Sequence, residues 1–222
     1  MSDSHFSGAV DSKAGFKVNG TEVIDSSGNL TSATKGIKQY AIIKPEVGAG
    51  VVVNAENISG GDVAVCTVVR EILDYPRNLL YTIADDAATT NVGTFTVIGT
   101  DQFGVAATET KVITVASSAT GSGTQVFATI TSVAYADTSG TAAVSDTASV
   151  GVSVAADVAS FGLPEGIAAI TDVKSVNWID DGAGKTQNID ATSVVIARDA
   201  FRPEQTVAAA DDYIILYNPT NA

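Results

Sequence analysis

The chain has 222 residues, 45% of them hydrophobic and only 6% aromatic, and its 25 acidic against 12 basic side chains give a net charge of −13. This length and apolar content suit one large β domain or two small ones with a real core, and they exclude a disordered chain. The cations are scattered singly, so no basic patch offers a nucleic-acid partner a foothold; the acidity reads as solubility, or as a surface that faces away from nucleic acid or docks on a basic partner.

The opening "MSDSHFSGAV" lacks the basic-then-apolar pattern of a signal peptide, and no run nears the ~20 apolar residues that span a bilayer, so the expectation is a chain made in a cytoplasm with no membrane partner. His5 is the single histidine and lies beside the N-terminus. With no second candidate base, Ser-His-Asp and Cys-His catalysis are not expected, nor is a His/Cys zinc site. The stretch "FKVNGTEVIDSSGNL", Phe16 to Leu30, then carries two turn signals, Asn19-Gly20 and Ser27-Gly28-Asn29. Asn-Gly takes the positive φ angles of a tight type I′ hairpin turn, so "FKVNGTEVI" reads as a hairpin on an extended arm covering residues 1–40. Phe16, Val18, Val23 and Ile24 are too few to form a core, and the expectation is that a partner completes their apolar face.

From Tyr40 the texture changes. Val and Thr dominate, both favoured on a pleated surface, and Gly supplies the turns. "YAIIKPEVGAGVVVNAENISGGDVAVCTVVREI" gives strand-like runs divided by Pro45, Gly48, Gly50 and Gly60-Gly61. Cys66, the single cysteine, sits in "VAVCTVV" and reads as a buried inert thiol; no internal disulfide can form. "NLLYTIA", "GTFTVIG" and "TETKVITV" follow as strands, with Phe95 and Val97 on one face, Thr94, Thr96 and Ile98 on the other, and "TDQFG" as the turn between two antiparallel strands. Residues 116–160 are biased towards Ala, Ser, Thr, Gly and Val, yet "TQVFATITSVAYA", with Val126, Ala128 and Ile130 alternating, and "ASVGVSVAA" still read as strands. "FGLPEGIAAITDVKSVNWIDDGAGK" predicts a turn, with "PEGIAAI" compatible with a helical turn, then a strand ending at Trp178. "DDYIILYNPTNA" closes as a strand stopped by Pro219.

No segment holds a 3.6-residue apolar period, so the expected fold is all-β: an antiparallel β-sandwich or barrel-like domain over residues 41–222, with an extended N-terminal arm and room for a division into two small β subdomains near 116–125. Chemistry is sparse. "DDGAGKT", Asp180 to Thr186, has Ile179 where a phosphate-binding loop needs glycine, and reads as a solvent-facing turn. The acidic pairs Asp85-Asp86, Asp180-Asp181 and Asp211-Asp212 lie near loops that hold the oxygen ligands calcium prefers, but none extends into the D-x-D-x-D-G pattern. No catalytic residue, cofactor or metal site is expected.

The stretch "YPRNLLYTIADDAATTNVGTFTVIGTDQFGVAATET" resembles a segment recurring in virion proteins of tailed bacteriophages, where a Pro-Arg-Asn strand start precedes a "TFTVxGTDxxG" hairpin; the matching residues are Pro76, Arg77, Asn78, Thr94, Phe95, Thr96, Val97, Gly99, Thr100, Asp101 and Gly104. "FGLPEGIAAITDVKSV" and "GFKVNGTEVIDSSGN" are similar to further pieces of such proteins. The resemblance covers about a third of the chain and implies a virion component, above all a head decoration (cement) protein on the outer capsid surface, bound to the major capsid protein and assembled as a homotrimer. A tail, fibre or baseplate component is the alternative within that class. A carbohydrate- or cell-surface-binding β module is the alternative outside it, but Trp178, Tyr75, Tyr81 and Tyr135 are too dispersed in sequence to form a sugar platform.

Overall fold

The computed structural model describes residues 16–18, 21–24, 37–59, 61–85, 91–115, 119–139, 145–180, 183–187 and 189–220. They carry fifteen strands and two single-turn 3-10 helices, and every strand pairing is antiparallel. The expected all-β class holds. The chain divides into two units: residues 1–37 with Ala222, and Lys38–Asn221. In the first, β1 (Phe16–Val18) and β2 (Thr21–Ile24) form a hairpin by themselves. In the second, β3 (Lys38–Ile43) already starts within the last residues of the expected arm.

A nine-stranded sheet organises the larger unit. Its strands are β4 (Gly48–Asn57), β5 (Ile72–Ala84), β6 (Asn91–Thr100), β7 (Ala106–Val115), β8 (Ala119–Asp137), β9 (Thr147–Val152), β10 (Phe161–Gly162), β13 (Val194–Val195) and β14 (Ala200–Phe201). The 19-residue β8 belongs to two layers: its first half pairs with β5 and its second half with β6. The layer β4–β9–β5–β8 thus folds over the layer β8–β6–β7, and a core closes between them around Tyr81, Phe95, Phe127 and Tyr135. Phe95 lies at 5.3 Å, centroid to centroid, from both tyrosine rings, a spacing that favours tilted and edge-on pairs. Two glycines let β7 cross β8: a Cβ at Gly121 would meet Ile113 Cδ1 at 2.6 Å, and one at Gly123 would strike the Glu109 carboxylate. The Gly-Ser-Gly within the small-residue stretch is therefore a packing requirement, and β8 runs on through it from Ala119.

A second sheet runs β12–β11–β15–β3, with β11 (Val173–Asp180), β12 (Ala183–Thr186) and β15 (Asp212–Tyr217). It packs on β10, β13 and β14 through Ile42, Phe161, Phe201, Trp178 and Tyr213. Strand β15 alternates strictly, with Tyr213, Ile215 and Tyr217 buried. The "DDGAGKT" stretch falls on the β11–β12 hairpin, where Asp180 pairs with Ala183.

Three local expectations change. "VAVCTVV" is not a strand: it touches β8 at Val63 and Cys66, then reaches β4, where the Val69 amide bonds Val52 O at 2.8 Å. A segment crossing from one layer to the other cannot pair along its length, and Val65 and Val69 stay 72% and 60% exposed. The alternation Val126-Ala128-Ile130 breaks, because Val126 and Phe127 are both buried where β8 passes between layers. Gly48 stands at the boundary as the first residue of β4, whereas Gly50 lies inside that strand and divides nothing, and the helical turn sits at Ile170–Asp172, at the end of "PEGIAAI" and beyond it.

Candidate interaction surfaces

The hairpin bearing Phe16, Val18, Val23 and Ile24 pairs Phe16 with Ile24, Lys17 with Glu22 and Val18 with Thr21. Val23 is passed over at a register irregularity between the first two pairs. The register leaves two residues for the loop, as the sequence requires; the loop itself, Asn19-Gly20, lies outside the described residues, as do His5 and the Ser27-Gly28-Asn29 turn.

On the larger unit, the groups that suggested chemistry are held in structural roles. Asp211 Oδ2 accepts the Ala208 amide at 2.7 Å and the Tyr213 hydroxyl at 3.1 Å, and Asp212 Oδ1 accepts the Lys44 amide at 3.1 Å. Asp86 and Asp181, the partners in the other acidic pairs, lie outside the described residues. Among the described residues no three metal-ligating side chains cluster. Cys66 is 2% exposed, and burial pushes its thiol up to about 11, which leaves it without appreciable thiolate at neutral pH. A depression of about 210 Å³ beside the β6–β7 turn gathers Asp101, Arg198 and Asp199, but its carboxylates cap backbone: Asp101 Oδ1 accepts the Phe103 amide at 2.8 Å and the Val105 amide at 3.0 Å, and Asp199 Oδ1 the Ile167 amide at 2.7 Å. Of the four aromatics considered for a sugar platform, three are inside and Tyr75 is half-buried. Tyr81, Tyr135 and Trp178 are 0%, 1% and 8% exposed, and the Tyr75 hydroxyl bonds the backbone of Ile43.

The Pro-Arg-Asn motif also turns out to be internal. It does not begin a strand: β5 starts four residues earlier at Ile72, and Pro76 sits at a register shift against β8, a position where its missing N–H costs no ladder bond. Arg77 is fully buried between the two cores. Its guanidinium donates to Glu46 O at 2.7 Å and Ser153 O at 3.0 Å, lies 4.6 Å above the Phe161 ring, and has Asp74 at 3.7 Å. Burial draws its pKa down to about 10, opposed by Asp74. Asn78 completes the joint: its amide nitrogen donates to Gly123 O and Val158 O, and its oxygen accepts the Ser160 amide. Sequence reading missed this role, although an Arg-Asn pair in the middle of an apolar strand was its signal.

One surface has no counterpart in the sequence expectations. The outward side of β8–β6–β7 forms three cross-strand rows: Ala136–Thr94–Val112, Ala134–Thr96–Thr110 and Ser132–Ile98–Thr108. None of the nine side chains ionises. Ile98 and Val112 are 45% and 56% exposed. Ala64, on the segment beside β8, extends the face and lines with Thr94, Thr96 and Ala134 a shallow depression of about 220 Å³, bordered by Asp62. The Asp62 carboxylate accepts the Asp137 amide at 2.8 Å.

No family model, curated protein or solved structure matches this chain.

Proposed function

We propose that the protein is a virion structural component of the head-decoration type, which binds the outer surface of a phage capsid, with the major capsid protein as its partner, and stabilises the shell as a homo-oligomer. One observation carries the reading: residues 1–37 form a unit apart from the β body, and the strands described in it span only three and four residues. So small a hairpin is marginal alone and gains stability by adding to another sheet or surface. Phe16, Val18, Val23 and Ile24 would each contribute roughly 1.5–3 kcal/mol when buried. Ordering the backbone opposes this by roughly 1–2 kcal/mol per residue, so main-chain hydrogen bonds to the shell must add to the apolar contacts. The resemblance of Pro76–Gly104 to phage virion proteins and the net charge of −13, suited to a position outside packaged DNA, support the same reading.

The test deletes residues 1–35 and mixes the product with capsids prepared without this protein, scoring co-sedimentation and added density in electron micrographs. The expected result is a folded body that no longer binds, with Phe16→Ala plus Val18→Ala weakening attachment in the full chain. Unchanged binding by the truncated protein overturns the anchor.

A further inference from the structure

We propose that the uncharged outer face of β8–β6–β7 is where two copies of this chain meet in solution. Charge is the first argument. With 25 acidic side chains against 12 basic ones, two copies repel through most pairs of surfaces they can present. Like charges brought together at a contact cost several kcal/mol, so a self-contact is selected for surfaces without them. The nine residues of the three rows supply such a surface. A basic partner gains nothing there, because its charges find no carboxylate within the rows; a second copy gains most, because this is a face on which its own acidity is absent.

Area and relief give the second argument. Five residues of β6, Thr94 to Ile98, at ~3.3 Å each, across strands ~4.8 Å apart with the Ala64 segment as a fourth row, make a footprint on the order of 300 Å² before side-chain relief. That falls well short of the roughly 800 Å² per partner of a standard interface and belongs with weak, transient contacts, so the association is weak, reversible and concentration-dependent. The side chains are Thr, Ala, Ser, Val and Ile, short enough for two sheets to approach to ~10 Å and to bury Ile98 and Val112 between them.

The inference stands apart from the shell-binding reading, because its test uses the purified full chain alone. Sedimentation equilibrium is run from micromolar to sub-millimolar concentration on the natural protein, on Ile98→Lys with Val112→Lys, and on Gln205→Lys with Ala209→Lys as an exposed control carrying the same added charge elsewhere. The expected result is a mass that rises with concentration above the 22.5 kDa monomer for the natural protein and the control, and stays at 22.5 kDa for the face variant. Should the double variant fail to fold by circular dichroism, Thr110→Lys, exposed on β7, replaces it and is expected to shift the association at least tenfold to higher concentration. The proposal is overturned if the natural protein is monomeric throughout, if the face variant associates like the natural protein, or if the control dissociates equally.

Discussion

At the scale of single residues, Arg77 decides most. A guanidinium taken wholly out of water is costly unless its donors are met, and here two backbone carbonyls, a ring face and a nearby carboxylate meet most of them. Its Nε has no hydrogen-bond partner among the described residues, so the arrangement is a compromise between packing and satisfaction. Removing the side chain leaves Glu46 O and Ser153 O unpaired around a cavity. Arg77→Ala is therefore expected to lower unfolding stability by roughly 3–5 kcal/mol, measured by urea denaturation. Arg77→Lys should recover only part of this, because one ammonium cannot span both carbonyls and the ring. A loss under about 1 kcal/mol for Arg77→Ala would show that the joint tolerates an empty centre.

At the scale of elements, close approach between strands is set by glycines, and they differ in what opposes a side chain. A Cβ at Gly99 would meet the backbone oxygen of Thr129, at the register shift where β6 leaves its simple alignment with β8. At Gly123 the obstacle is the carboxylate end of Glu109, a side chain that also accepts the Tyr81 hydroxyl at 2.8 Å and the Thr124 amide at 2.6 Å. Backbone cannot swing aside, whereas a carboxylate can, at the expense of its hydrogen bonds. Gly99→Ala is expected to cost about 3 kcal/mol or more and Gly123→Ala about 1–3 kcal/mol. Thermal melts of the two variants should fall in that order; the reverse order would mean that Glu109 is the more rigid obstacle.

At the scale of the whole molecule, the larger unit has two cores, and Arg77 and Asn78 tie them together. Arg77 and Asn78, on the strand that runs through the first core, bond segments that lead into the second: Ser153 and Ser160 flank the approach to Phe161. Coupling of this kind makes the two cores unfold together. Calorimetry of the full chain should show one transition for the β body, with calorimetric and van't Hoff enthalpies in agreement. Deleting residues 1–35 should leave its midpoint within a degree or two, since that segment forms a separate unit. Two resolved transitions would place the cores in independent domains.

The sequence by itself determined the all-β class, the pairing of Phe16–Val18 with Thr21–Ile24 as a hairpin, the turn at Asp101–Gly104, and the two faces of β6. These rest on local physics: branched residues favour the pleat, Gly and Asn permit tight turns, and a period of two sorts side chains to opposite faces. It also marked Cys66 as buried. Only the tertiary structure decided that β8 serves two layers, that "VAVCTVV" crosses between them without pairing, and that an Arg-Asn pair stands at the joint of two cores. It alone brought Ala134, Thr96 and Thr110 into one row, from positions up to 38 residues apart in sequence. Alternation tells each strand which side faces a core, but not which strand lies beside it. That choice is made by long-range pairing, where the entropy of closing each loop is weighed against the packing the closed structure allows.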